Sequence, residues 1–128
     1  MGEIQCWGEE EYTDAASGSF ISVSSDKNGS CALTAAGALS CWGGLAVFGS
    51  DVPEGVFSDV AVGYHHACTL DSDGMASCWG VPVDPSPERA FDRIDAGSSF
   101  TCGSVTTGAL ECWGFDSHGQ VSDAPSFD

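Results

Sequence analysis

The residues best suited to chemistry in this 128-residue chain are seven cysteines, three histidines and nineteen carboxylates. A thiol can serve as a nucleophile, as a metal ligand or as half of a disulfide. Zinc sites gather close Cys-x-x-Cys pairs, and the sequence contains none. Six cysteines instead form pairs ten residues apart: Cys31 with Cys41, Cys68 with Cys78, and Cys102 with Cys112. A glycine lies inside each interval, at Gly37, Gly74 and Gly108. Two strands joined by such a turn set the paired cysteines opposite one another. A non-hydrogen-bonded antiparallel pair holds its Cα atoms about 4.5–5.5 Å apart, within disulfide reach. Three disulfides are therefore expected, and with them an oxidising compartment. Cys6 has no cysteine ten residues before it, so it is expected to be unpaired or to bond another chain.

The other candidates carry less. His65 and His66 are adjacent, and neighbours on a strand point to opposite faces rather than toward one ion. His66 is expected to make a structural hydrogen bond, and His118 to sit in a solvated loop. Asp71-Ser72-Asp73-Gly74 begins like a calcium loop but runs into Cys78-Trp79 without the later glutamate, which favours a hairpin turn. Glu9-Glu10-Glu11 reads as a solvated acidic stretch. No Gly-x-Ser-x-Gly elbow and no phosphate-cradling Gly-Lys motif occurs. The expectation is a protein without catalytic residues, metal or cofactor.

Charge narrows the partners. Lys27, Arg89 and Arg93 are the only Lys and Arg against 19 Asp and Glu, for a net charge of −16. Nucleic-acid binding requires clustered cations, and an anionic membrane surface would repel this chain. Solubility, life at high salt and calcium binding are the readings open to the acidity. No apolar run reaches the length of a membrane-spanning helix, so no membrane insertion is expected. Met1-Gly2-Glu3-Ile4-Gln5 does not open like a signal peptide, so a secreted form would have lost its signal already.

Strands must position these residues. Cys-Trp-Gly occurs four times, ending in Gly8, Gly43, Gly80 and Gly114, and takes up every tryptophan: Trp7, Trp42, Trp79 and Trp113. Phe20, Phe57, Phe91 and Phe127 keep the same step. Val23, Val60 or Ile94 follows three residues after each of the first three, and Cys31, Cys68 or Cys102 eight residues later. Such repetition marks a repeat architecture. Phe20 to Val23 and Ser30 to Thr34 read as short strands, and the length variation after each Cys-Trp-Gly reads as a loop. The register sets Leu33 opposite Leu39 and Leu70 opposite Ala76 on the cysteine face, with the tryptophans on the other. Sheets apolar on both faces stack as propeller blades do, and the aromatic residues are expected to pack between them.

Phe57, Val60, Gly63, His66, Cys68, Leu70, Gly74, Cys78, Trp79 and Gly80 together resemble the regulator-of-chromosome-condensation repeat, in its cysteine-bearing form common in secreted bacterial proteins. Gly119-Gln120 resembles the tail of that motif. The resemblance implies an all-β propeller, usually of seven blades. Asp26 departs from it where Gly63 and Gly97 keep it, and Gly29 and Phe100 stand at the His66 position. The nucleotide exchange of the family's namesake depends on particular loops and is not carried over.

Three full repeats are expected, at 20–56, 57–90 and 91–126, with a partial blade at 1–19 and the start of a further repeat at 127–128. Seven blades at this period need about 250 residues, so the array stays open unless another chain completes it. A head-to-tail contact closes a ring or runs on as a filament. The function expected is a non-enzymatic, extracellular or cell-surface module that assembles with itself. Its alternatives are a protein-binding module that uses the loops 43–56, 80–90 and 114–126, or a segment of a larger propeller.

Overall fold

The computed structural model describes residues 2–7, 18–27, 29–43, 53–80, 86–114 and 121. They form three antiparallel three-stranded sheets and no helix. Blade 1 contains β1 (Ser22–Asp26), β2 (Gly29–Leu33) and β3 (Leu39–Gly43). Blade 2 contains β4 (Phe57–Val62), β5 (His66–Asp71) and β6 (Ala76–Gly80). Blade 3 contains β7 (Arg93–Ala96), β8 (Phe100–Ser104) and β9 (Leu110–Gly114). In each blade the second strand lies between the first and the third.

Turn chemistry sets the register. The Thr34–Ala38 connection closes with Gly37 N–H donating to Thr34 O at 2.9 Å and Thr34 N–H to Ala38 O at 3.0 Å. Asp71–Met75 and Val105–Ala109 repeat both bonds. Gly37, Gly74 and Gly108 hold φ of +86°, +81° and +96°, the left-handed position that closes a three-residue hairpin loop. The cysteines then fall opposite each other, as do Leu33 with Leu39 and Leu70 with Ala76.

Strand limits differ slightly from the sequence reading. β1 starts at Ser22 rather than at Phe20, because the Phe20 backbone is engaged in an isolated bridge with Gly2. β2 runs from Gly29 to Leu33, one residue earlier than expected.

The blades pack face to face and build two cores. Cys31 and Leu33 of blade 1 meet Phe57, Val60, Val62, Ala67 and Trp79 of blade 2. Cys68 and Leu70 of blade 2 meet Phe91, Ile94 and Trp113 of blade 3. Thus Trp79 faces one core and Cys78 the other, and the middle blade is apolar on both faces. Backbone bonds tie the junctions: Phe57 N–H donates to Gly37 O at 3.0 Å, and Phe91 N–H to Gly74 O at 2.8 Å. A Cβ at Gly74 would lie 2.6 Å from Phe91 O, so the turn glycine also allows the next blade to approach. Side chains add Val62 N–H to Ser24 Oγ at 2.9 Å and Ile94 N–H to Asp59 Oδ2 at 2.9 Å.

Candidate interaction surface

The three cysteine pairs are joined as disulfides, with Cα atoms 4.1 Å apart for Cys31–Cys41 and 4.0 Å for both Cys68–Cys78 and Cys102–Cys112. Cys31 and Cys68 are fully buried, whereas Cys102 is half-buried on the far face of blade 3. Cys6 is half-buried and in no disulfide. The thiol chemistry of the described residues therefore rests on Cys6.

Phe20, Phe57, Phe91, Trp79 and Trp113 are buried, and Trp42 is half-buried on the outer face of blade 1. Phe91 and Trp113 stack with ring centroids 5.6 Å apart. Trp7 corrects the expectation of uniform packing: it stands 88% exposed. It occupies the same tripeptide position as Trp79, but among the described residues no sheet covers it. Phe127, His118 and Glu9-Glu10-Glu11 lie outside the described residues, as do 44–52, 81–85, 115–120 and 122–126 of the loops after Cys-Trp-Gly.

The histidines divide. His65 lies in the bend before β5, edge-on to the Tyr64 ring with centroids 3.9 Å apart. His66 is buried between blades 2 and 3, and its Nε2 shares a hydrogen bond with Thr101 Oγ1 at 2.8 Å. The Thr101 hydroxyl also lies 3.4 Å from the Cys68 sulfur. Burial lowers the His66 pKa below its ordinary value, while the Phe100 and Ser98 backbone and the charge of Asp26 pull weakly upward. The folded chain thus favours neutral imidazole. Its contribution to stability is complete above the ordinary histidine value of about 6.5 and is lost as pH falls toward the lower folded value. A thermal midpoint that drops between pH 7 and pH 5 by less in His66→Gln than in the parent chain is the expected result.

Asp71-Ser72-Asp73-Gly74 is a hairpin turn, with Asp71 Oδ1 accepting from Asp73 N–H at 2.8 Å and Met75 N–H at 3.0 Å. Among the described residues no group of three His, Cys, Asp or Glu gathers as metal ligands.

One rim of the array joins the turn after each first strand to the end of each Cys-Trp-Gly. Gly29 pairs with Gly43, His66 with Gly80 and Phe100 with Gly114. Gly80 and Gly114 hold φ of +114° and +112°, and their bare Cα atoms lie against the backbones of His65–His66 and Ser99–Phe100. Lys27 Nζ sits 5.3 Å from the Tyr64 ring centroid on this rim. Gly43, Gly80 and Gly114 thus lie on one rim, with Gly80 against the His65 backbone.

The open face of blade 1 is the most distinctive surface. Val23 is 53% exposed, whereas its counterparts Val60 and Ile94 are 4% and 8% exposed. Ile4, Cys6 and Trp7 stand beside it across a cleft. Sequence reasoning missed one determinant of this edge. Gly2 lies four residues before Cys6, as Gly37 does before Cys41 and Gly74 before Cys78, and that offset was available to identify it.

No protein-family model matches the chain, and no curated protein matches it. Solved structures do. The chain is similar to the entire ectodomain of the Physcomitrella patens receptor kinase CR4, with a TM-score of 0.74 and 28% identity over 86% of this chain and 33% of that one. It is similar to the CRINKLY WD40 ectodomain of the Arabidopsis thaliana receptor kinase ACR4, with a TM-score of 0.72 and 27% identity over 88% of this chain and 44% of that one. It also shares the fold of Prp20p from Saccharomyces cerevisiae, with a TM-score of 0.62 and 23% identity over 85% of this chain and 36% of that one. The chain thus spans a third to under a half of the length of these structures, and its three sheets are blades of a β-propeller type.

Proposed function

We propose that the chain is a non-enzymatic, extracellular β-propeller module that works by contact with further propeller repeats, copies of itself included. The observation that carries this is Val23, 53% exposed at a position that both internal junctions bury. Blade 3 presents the complementary half: Cys102 and Ser104 are half-buried where Cys31, Leu33, Cys68 and Leu70 are at 0%. Two such unlike faces on one chain support a head-to-tail contact, which gives a ring if its rotation closes and a filament if it does not. Three disulfides and the likeness to receptor ectodomains support an extracellular setting.

Light scattering of the oxidised chain across micromolar concentrations tests the reading. Growth in mass with concentration, lost in Val23→Asp, is expected. A monomer at every concentration would remove self-assembly.

A second reading has its own observation. The ends of the Cys-Trp-Gly strands, Gly43, Gly80 and Gly114, lie on the rim that also carries Lys27, Tyr64 and His65. A partner protein held there would be lost in Tyr64→Ala but kept in Val23→Asp.

A further inference from the structure

The disulfide of the middle blade ends on a short chain of polar contacts. Cys68 is fully buried between blades 2 and 3, and Thr101 Oγ1 lies 3.4 Å from its sulfur. His66 Nε2 lies 2.8 Å from the same hydroxyl. Both side chains are buried, Thr101 at 1% exposure and His66 at 5%. The His66 ring is wedged against bare Gly63, where a Cβ would overlap it. Packing therefore fixes the ring as firmly as the hydrogen bond does.

Proton counting gives these bonds a direction. A disulfide sulfur carries no hydrogen, so Cys68 Sγ can only accept. The Thr101 hydroxyl has one proton, and its contact with that sulfur takes it. His66 Nε2 then carries the ring proton and donates to Thr101 Oγ1. His66 Nδ1, buried without a hydrogen-bond partner, is left as the bare nitrogen. Burial favours the neutral ring that this tautomer requires. Two donors in series thus point at the Cys68 sulfur, where negative charge gathers if the disulfide opens.

The junction of blades 1 and 2 supplies the contrast. Cys31–Cys41 has the same spacing and the same register as Cys68–Cys78. In both, one cysteine is at 0% exposure and the other is half-buried. Gly29 stands at the offset of His66, and Ala67, at the offset of Thr101, packs in the core with Cys31. Neither residue has a side-chain donor. The chain therefore carries two disulfides alike in geometry and unlike in what faces the buried sulfur.

We propose that Cys68–Cys78 is a reactive disulfide that takes up a low-mass thiol at Cys78, with Cys68 as the leaving sulfur. The incoming thiolate attacks the sulfur of Cys78, the less buried of the two residues. A mixed disulfide forms there, the Cys68–Cys78 bond breaks, and its electron pair stays on Cys68 as a thiolate. The Thr101 hydroxyl donates to that charge, and His66 is a positioning residue that keeps the hydroxyl proton turned toward it. A better-stabilised thiolate leaves faster. Because blade 2 builds both cores, one modification reaches both junctions. The site lies inside the array and does not depend on what covers its outer faces.

The test is reduction of the folded Cys6→Ser chain by excess glutathione, sampled over time by acid quenching, unfolding, alkylation and peptide mapping. Cys68–Cys78 should open about tenfold faster than Cys31–Cys41 in the same molecules, with glutathione on Cys78 and the alkyl label on Cys68 at early times. Thr101→Val keeps the shape without the donor and should bring the two rates together by slowing the central bond. His66→Leu should do the same. His66→Gln, whose amide N–H can donate in place of the ring, should keep about half of the difference or more. Loosened packing speeds reduction, so a slower central bond beside an unchanged Cys31–Cys41 rate is not a folding defect. Equal rates in the parent chain would overturn the proposal. So would glutathione on Cys68, or a central bond that neither Thr101→Val nor His66→Leu slows.

Discussion

Opening the three disulfides with a phosphine reductant at neutral pH is expected to unfold the chain. Each bond closes a loop of ten residues' separation, worth about 2.7 kcal/mol in the chain-entropy model. Together they amount to about 8 kcal/mol, comparable with the entire stability of an ordinary domain of about 5–15 kcal/mol. The three are unequal. Cys68 is fully buried between blades 2 and 3, so replacing Cys68 and Cys78 by alanine removes the cross-link and also opens a cavity beside Leu70 and Phe91. Cys102 is half-buried on an open face, and the same change at Cys102 and Cys112 leaves little void. The central pair should lower the melting temperature on the order of 10 °C, and the outer pair by less. Near-ultraviolet circular dichroism with thermal scans reads both. A reduced chain that keeps its signal and midpoint would mean that packing alone holds the blades.

The hairpin core was legible because its information is local. A ten-residue cysteine spacing, a glycine four residues before the second cysteine and alternating apolar positions together allow one register, and Cys68 opposite Cys78 follows. Val60 and Ile94, like Phe57 and Phe91, keep fixed offsets, and through them each repeat meets its neighbour in the same way. What the repeat could not reveal is set by the neighbour rather than by the strand. Val23 and Val60 are the same residue type at the same offset, yet one is exposed and the other buried, because among the described residues a sheet covers only the second. The polar ties between blades were visible only in part: a hydrogen bond was expected of His66, but its partner was not. Thr101 meets His66, and Asp59 meets the Ile94 amide, through positions that the other repeats do not share. An alignment of the repeats averages such differences away, and they appear only when the blades are set side by side.

Tryptophan substitutions should separate these two kinds of information. Trp79 is 5% exposed in the core with Leu33 and Val60, and Trp113 is 8% exposed and stacked on Phe91. Truncating either to alanine removes a large buried ring that its neighbours replace incompletely, at a cost of about 3–5 kcal/mol. Trp7 belongs to the same tripeptide but is 88% exposed, so Trp7→Ala should change stability by no more than about 0.5 kcal/mol in the isolated chain. Urea unfolding followed by far-ultraviolet circular dichroism gives all three values on one scale, unaffected by loss of the fluorophore. A large loss at Trp7 would mean that its face is already covered in solution. Repeating the titration over a range of protein concentrations then identifies the cover, because a contact between chains strengthens with concentration whereas a segment of the same chain does not.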